Sequence, residues 1–239
     1  MTTHSVLGQE IAMPVHIRLA HAFAATFRVR ADIAQEIIDY SGLRVLRLPR
    51  NTGLCTLVFV HYVDGDLGPY NEFGISFVVR HHSAGLTKAG VFIHQLPVDG
   101  DFTLAAGREI WGFPKELAEF SASNDGPLRT ATLQQRGSLI VELSVRQGIP
   151  TPGSGINASL DAYSHLDGAT RCTLWKMRPA GVRTRPGGAT LRLGNHPVGG
   201  RTPVARFTQA GTHEHHYRST RDDIRGRRTA IARYPARWS

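Results

Sequence analysis

Short runs of alternating apolar residues, each closed by turn-forming residues, constrain this chain more than any other feature. Residues 54–63 are the strongest case, a stretch of Leu, Val, Phe and Tyr between Gly53 and an Asp64-Gly65-Asp66 turn. β-Branched and aromatic residues bounded by Gly, Asp and Asn read as strands. The same reading gives strands at 22–30, 43–48, 70–80, 91–96, 171–178 and 189–193, and a meander of three at 116–123, 128–135 and 139–147. Asn124-Asp125-Gly126-Pro127, Arg136-Gly137-Ser138 and Pro186-Gly187-Gly188 supply turns, and 147–158, rich in Gly, Pro and Ser, reads as a surface loop. Helical signals are few. Asp32 is placed to cap a helix over 33–40, and Asp101 to cap a turn running toward Glu109. The pattern predicts an α+β fold: a mainly antiparallel, β-barrel-like sheet with short flanking helices.

At 239 residues the chain is long enough for a sizeable core. No run reaches the length of a membrane span, and Met1-Thr2-Thr3-His4-Ser5 lacks the basic and apolar regions of a signal peptide. Cys55 and Cys172 have no metal-type spacing and read as reduced thiols. The expectation is a cytoplasmic protein with no membrane partner. The net charge of +9 is unevenly spread: from Val198 onward nine arginines face three acidic residues. Any nucleic-acid argument therefore rests on the tail.

The chemistry centres on Gly107-Arg108-Glu109-Ile110-Trp111-Gly112-Phe113-Pro114-Lys115-Glu116. Alone, a lysine after a Pro turn is a solvated strand residue. Here an aromatic run precedes it and Leu117-Ala118 come after it. Apolar surroundings disfavour the ammonium, and a neutral lysine amine attacks ketones to form a Schiff base.

That string resembles the signature of the acetoacetate decarboxylase family, in which Gly-Arg-Glu leads through an aromatic-Pro pair to the nucleophilic lysine. Acetoacetate decarboxylase is itself the familiar case of a lysine activated in this way. Leu67-Gly68-Pro69-Tyr70-Asn71-Glu72 resembles the family's Leu-Gly-x-Tyr-x-Glu segment, and Leu193-Gly194-Asn195-His196-Pro197 its Leu-Gly-x-His-Pro segment. The resemblance runs over roughly residues 14–198. It implies Lys115 as nucleophile and Glu72 as the carboxylate that orients substrate or moves a proton. Tyr70, Trp111 and Phe113 would bind substrate and desolvate the lysine. Arg18 is the nearest match to an arginine expected near the first strand. The implied reaction is decarboxylation of a small β-keto acid with no cofactor and no metal, in a homo-oligomer that binds no nucleic acid.

The sequence departs from the family at two points. Glu116 stands where a second lysine is usual, and gapless counting places Leu57 where a further acidic residue is expected, with His61 the nearby polar residue. Neighbouring strand residues face opposite sides, so Glu116 points away if Lys115 points inward. These departures keep open a Schiff-base aldolase or dehydratase acting on a pyruvate-like acid, and a catalytically inactive family member.

After Pro197 the strand pattern collapses. His213-Glu214-His215-His216 suggests a metal site and Arg225-Gly226-Arg227-Arg228 a nucleic-acid contact. A third reading fits better. Back-translated and read from the second base of each codon, Gly199 to Ile224 can spell ADELRSLGLPKRALMSTTIGQLATTF. This resembles what the family carries after its His-Pro pair: a helix, a Leu-Gly-Leu-Pro turn and an Ala-Leu-Met-Ser strand. The expectation is one domain over 1–198 and an out-of-frame, irregular tail over 199–239.

Overall fold

The computed structural model describes residues 2–83, 86–124, 126–151, 155–194 and 208–215. The chain opens with a hairpin, β1 (Thr3–Val6) and β2 (Gln9–Ala12), followed by the long β3 (Ile17–Arg30). Helix α1 (Ala31–Ile38) and a 3-10 turn lead to β4 (Arg44–Val45), β5 (Thr52–Gly65), β6 (Tyr70–Ser83) and β7 (Leu86–Val98). Helix α2 (Asp101–Ala106) widens into a π-helical turn at Gly107–Trp111, then come β8 (Lys115–Leu117) and β9 (Glu119–Ser123). The hairpin β10 (Leu128–Gln135) and β11 (Ser138–Arg146) precedes β12 (Ile149–Pro150), β13 (Ala158–Leu166), β14 (Ala169–Met177), β15 (Val182–Arg185), β16 (Ala189–Leu193) and β17 (Thr208–His215).

The main sheet runs β12-β15-β17-β3-β5-β6-β7-β13-β14, with β4 beside β6 and β8 beside β7. A second sheet runs β16-β11-β10-β9. Most pairs are antiparallel; β7 pairs in parallel with both β13 and β8. The expected strand-dominated α+β architecture is present. Among the described residues the main pairing path is open, from β12 to β14, rather than closed on itself.

Two layers form because the strand faces differ. On β5, Cys55, Leu57 and Phe59 are buried in a core shared with Phe23, Phe27, Phe77 and the inner residues of β10 and β11. The opposite face of β5 carries Val60 and Tyr62, which pack with Val15, Ile17, Tyr70, Val98 and Ala106. One sheet thus buries both faces, one for stability and one around a cleft.

Local sequence readings mostly carry over, with instructive shifts. α1 begins two residues before the expected start, and Asp32 lies in its first turn, where it bonds Arg30 and the Ile33 amide. The expected strand over 116–123 is two strands that part at Ala118, whose amide bonds the Val98 carbonyl. β13 was not expected, because Asp161, Ser164 and His165 interrupt its apolar alternation, yet Ser164 is fully buried between β7 and β14. The expectation of an irregular tail is corrected at β17, which lies between β15 and β3. His216 and the arginines over 225–228 lie outside the described residues.

Candidate active site

Three local devices hold Lys115. α2 ends in the π-helical turn, and Gly112 closes it with a left-handed backbone at φ 65°. Any other residue would be strained at that backbone angle, and its side chain would also have to displace the Arg171 guanidinium. The turn then folds back: the Gly112 amide bonds the Arg108 carbonyl and the Phe113 amide bonds the Gly107 carbonyl. Finally, the Arg108 guanidinium donates to the Lys115 carbonyl at 3.0 Å, fixing the start of β8.

Strand register brings the partners together. β8 pairs with one edge of β7 at Leu96↔Lys115, and β6 pairs with the other at Glu72↔Val98. Lys115 and Glu72 therefore sit two strands apart, roughly 10 Å, a gap that a long lysine and a glutamate can span. Their side chains meet with Nζ 2.9 Å from Oε2. Both are buried, at 2% and 6% exposure. The ammonium also donates to Thr103 Oγ1 at 2.9 Å and lies 4.9 Å from the centre of the Tyr70 ring. Tyr62 donates from its hydroxyl to the other Glu72 oxygen at 3.0 Å and stacks on Tyr70 with ring centres 4.3 Å apart. Burial first, then the Glu72 charge, push both phenols well above their usual range, so they stay protonated.

The expected apolar surroundings of Lys115 are therefore only part of the picture: the lysine is buried, and its ammonium has a carboxylate partner. Glu116 is exposed, as strand alternation requires.

These groups face a cleft of about 120 Å³. Its walls are mainly apolar. Val15 and Ile17 close one side, and Trp111 and Phe113, stacked 5.8 Å apart, form another. Trp175 on β14 packs edge-on against Phe113, and Thr173, Lys176 and Met177 complete that wall. Tyr70, Glu72, Trp111, Phe113 and Lys115, all expected from sequence, thus come together.

Arg18 does not join them. It is half-exposed and held by Asp64 through two hydrogen bonds and by Asp66 through one. It lies outside the cleft lining, so its expected substrate contact is withdrawn. Leu57 is also away from the site, on the opposite face of β5, where it is fully buried in the core. The polar group that β5 gives the site is Tyr62, directly across from Tyr70 in register. Sequence reading missed Tyr62, Thr103 and the β14 residues. Tyr62 had a usable signal: it pairs with Tyr70 once the strands are aligned through the 64–69 turn. Thr103 and β14 had none.

Residues 3–221 match the acetoacetate decarboxylase family. The chain belongs to that family. "Acetoacetate decarboxylase 1" of Mesorhizobium japonicum is 28% identical over 178 residues, 68% of this chain and 62% of that protein. Matches to the curated relatives span from 27% to 62% of their lengths. Among solved structures, acetoacetate decarboxylase from Legionella pneumophila shares the fold with a TM-score of 0.60 at 20% identity, covering 89% of this chain and 88% of that one. The enduracididine biosynthesis enzyme MppR, solved with the condensation product of pyruvate and imidazole 4-carboxaldehyde, gives 0.54 at 16% identity, covering 86% of each chain. Among the described residues no helix is long and apolar enough to cross a membrane, and no group of His, Cys, Asp and Glu is arranged to hold a metal.

Proposed function

We propose that this family member decarboxylates a small β-keto acid through a Schiff base on Lys115. The observation that carries this is a lysine at 2% exposure, bonded to Glu72 at 2.9 Å, lining a small apolar cleft. Glu72 takes a proton from the Lys115 ammonium and leaves a neutral amine. Nζ adds to the ketone carbon, and the carbinolamine oxygen leaves as water with the proton that Glu72 holds. In the resulting iminium the bond to the carboxylate carbon breaks. Its electron pair moves toward the imine nitrogen, giving an enamine and carbon dioxide. A proton from water then adds to the enamine carbon, and hydrolysis of the imine releases the ketone and restores the ammonium. Tyr62, held protonated, bonds Glu72 in either charge state and keeps it aimed at Nζ. The stacked Trp111 and Phe113 exclude water from the iminium, which favours loss of the negative carboxylate as neutral carbon dioxide.

The test is borohydride reduction with acetoacetate, followed by peptide mapping. An adduct on the peptide containing Lys115 is expected. An adduct on another lysine alone, or none with folded protein, overturns the reading.

A second reading keeps the imine and changes its fate to aldol or dehydration chemistry on a pyruvate-like acid. The likeness to MppR, bound to a condensation product of pyruvate, favours it. Released carbon dioxide separates the two. An adduct at Lys115 with no turnover of any keto acid would indicate an inactive member.

A further inference from the structure

The Lys115 nitrogen is held by Glu72 Oε2 at 2.9 Å and by Thr103 Oγ1 at 2.9 Å. Thr103 is buried at 2% exposure, on α2. The helix sets its place. The Gly107 amide bonds the Thr103 carbonyl, so the two residues lie one turn apart on the same face. Gly107 lies under the lysine stem, and Thr103 meets the nitrogen at its end.

Forming an iminium removes two protons from this nitrogen. The ammonium carries three and the iminium one, and the other two depart in the water made from the ketone oxygen. Glu72 takes the first. The second is still on nitrogen after Nζ has attacked, when the adduct carries a positive nitrogen and a negative oxygen on the same carbon. Direct transfer between those atoms needs a strained four-membered arrangement. A hydroxyl that accepts from nitrogen and donates to oxygen widens it to six. Glu72 is not free for this step: it already holds a proton, and its other oxygen accepts from the Tyr62 hydroxyl at 3.0 Å. Thr103 brings both a lone pair and a hydrogen to Nζ. Its hydroxyl also bonds the Tyr70 phenol. The adduct's alkoxide is the stronger acceptor, and rotation about one C–O bond turns the hydrogen toward it.

We propose that Thr103 is a catalytic residue that carries the second proton from Nζ to the oxygen of the addition product. This rests on the reading of Lys115 as the imine-forming residue. Thr103 Oγ1 takes the N–H proton as its own hydrogen passes to the alkoxide. The products are a neutral carbinolamine and an unchanged threonine. The proton on Glu72 then leaves with the new hydroxyl as water. Carbon–carbon cleavage does not use Thr103, because the iminium nitrogen keeps its remaining proton.

The experiment reads imine formation apart from cleavage, as loss of oxygen-18 from labelled acetone to water, in the full chain with Thr103→Val, Thr103→Ala and Thr103→Ser. Valine keeps the shape and removes the hydroxyl. Alanine removes it without crowding the site, which provides a second hydroxyl-free variant where valine does not fold. Serine keeps it. Thr103→Val and Thr103→Ala are expected to slow exchange by about tenfold or more at the optimum of the pH profile, with Thr103→Ser within about threefold of wild type. A threonine that only satisfies the ammonium gives a different result: its loss moves the pH profile and leaves the rate at the optimum unchanged. That result, with an acetoacetate adduct at Lys115 in the wild type, overturns this proposal and keeps the Lys115 reading. Folded wild-type protein that forms no adduct at Lys115 removes that reading, and the role of Thr103 with it.

Discussion

A β-carbon on Gly107 would lie 2.5 Å from Cδ of Lys115 and 2.6 Å from Cε. The glycine of the Gly-Arg-Glu segment is thus the floor on which the lysine stem rests. Its own backbone is ordinary right-handed helix, with φ −63° and ψ −40°. At such a position alanine is favoured over glycine by roughly 1 kcal/mol, so the backbone gives no reason for a glycine here. The lysine does.

Gly107→Ala should therefore separate folding from activity. The lysine stem must move, and Nζ leaves Glu72 and Thr103. Stability should fall by no more than about 1–3 kcal/mol, the usual range for an overpacked methyl group. Turnover should fall by about a hundredfold or more, because catalytic groups misplaced by an ångström lose that much. Denaturant melts and steady-state kinetics on the same sample check both. Full activity would show that the stem is free to swing aside.

Glu72→Gln keeps the size and one hydrogen bond to Tyr62 but cannot accept the lysine's proton. Turnover should drop about a hundredfold, within the range for loss of a general base. Imine trapping should slow with it, because the same proton transfer precedes attack by Nζ, while the adduct that does form still maps to Lys115. Breaking a buried ion pair can by itself destabilise by about 3–5 kcal/mol, so a denaturant melt must show that the variant is folded under the assay conditions. Unchanged turnover would leave Glu72 as a structural partner only.

His94 gives the fold an acid limit. Burial pushes its imidazole down from 6.5 to about 4. Its Nδ1 meets the Tyr40 hydroxyl at 3.1 Å. Tyr40 also packs edge-on against His165, which burial and then the Arg171 charge hold below its usual value. For a histidine kept neutral by the fold, the unfolded chain binds the proton more readily. Stability is thus complete above the unfolded value and is lost as pH falls through the window from 6.5 toward 4. The loss from His94 amounts to a few kcal/mol at most, at about 1.4 kcal/mol per unit. Denaturation midpoints at pH 7.5 and 5.0 should differ more in the wild type than in His94→Gln. Equal differences would remove His94 as the cause.

The tail yields a prediction at the level of the gene. β17 pairs Thr208↔Arg28, Gln209↔Phe27 and Gly211↔Thr26 on one side and reaches β15 on the other. In the alternative frame, Gly211 to Glu214 become Ala-Leu-Met-Ser, so the strand-like string falls inside this slot. A chain carrying the alternative-frame string after Val198 should be more soluble and more stable than the chain as given, measured by yield and thermal midpoint. Resequencing decides the matter most cheaply. A gene and C-terminal peptides that both confirm the given tail, with no gain from the alternative string, would end the frameshift idea.

Strand positions were legible wherever apolar and polar residues alternate between turns, as at 128–135, which matches β10 to the residue. They were illegible where buried polar groups break the pattern, as at Ser164 in β13, or where strand formation depends on neighbours, as at β17. Unpaired edges of β3 and β15 offer backbone donors and acceptors to any segment that reaches them, whatever its side chains.

The sequence by itself determined the family and singled out Lys115 and Glu72 as candidates, because each motif keeps its residues together along the chain. Alternation within a strand also settled that Glu116 turns away from Lys115. Only the tertiary structure decided what else reaches the lysine. Tyr62 arrives through register with β6, Thr103 through the placing of α2, and the cleft wall at Phe113 is closed by Trp175 from β14 at the far end of the sheet path. Arg18 was decided there as well, by two aspartates that β3 meets only when it pairs with β5 and the turn after it. Such contacts depend on strand order and pairing, which are set by long-range burial and not by any local run of residues.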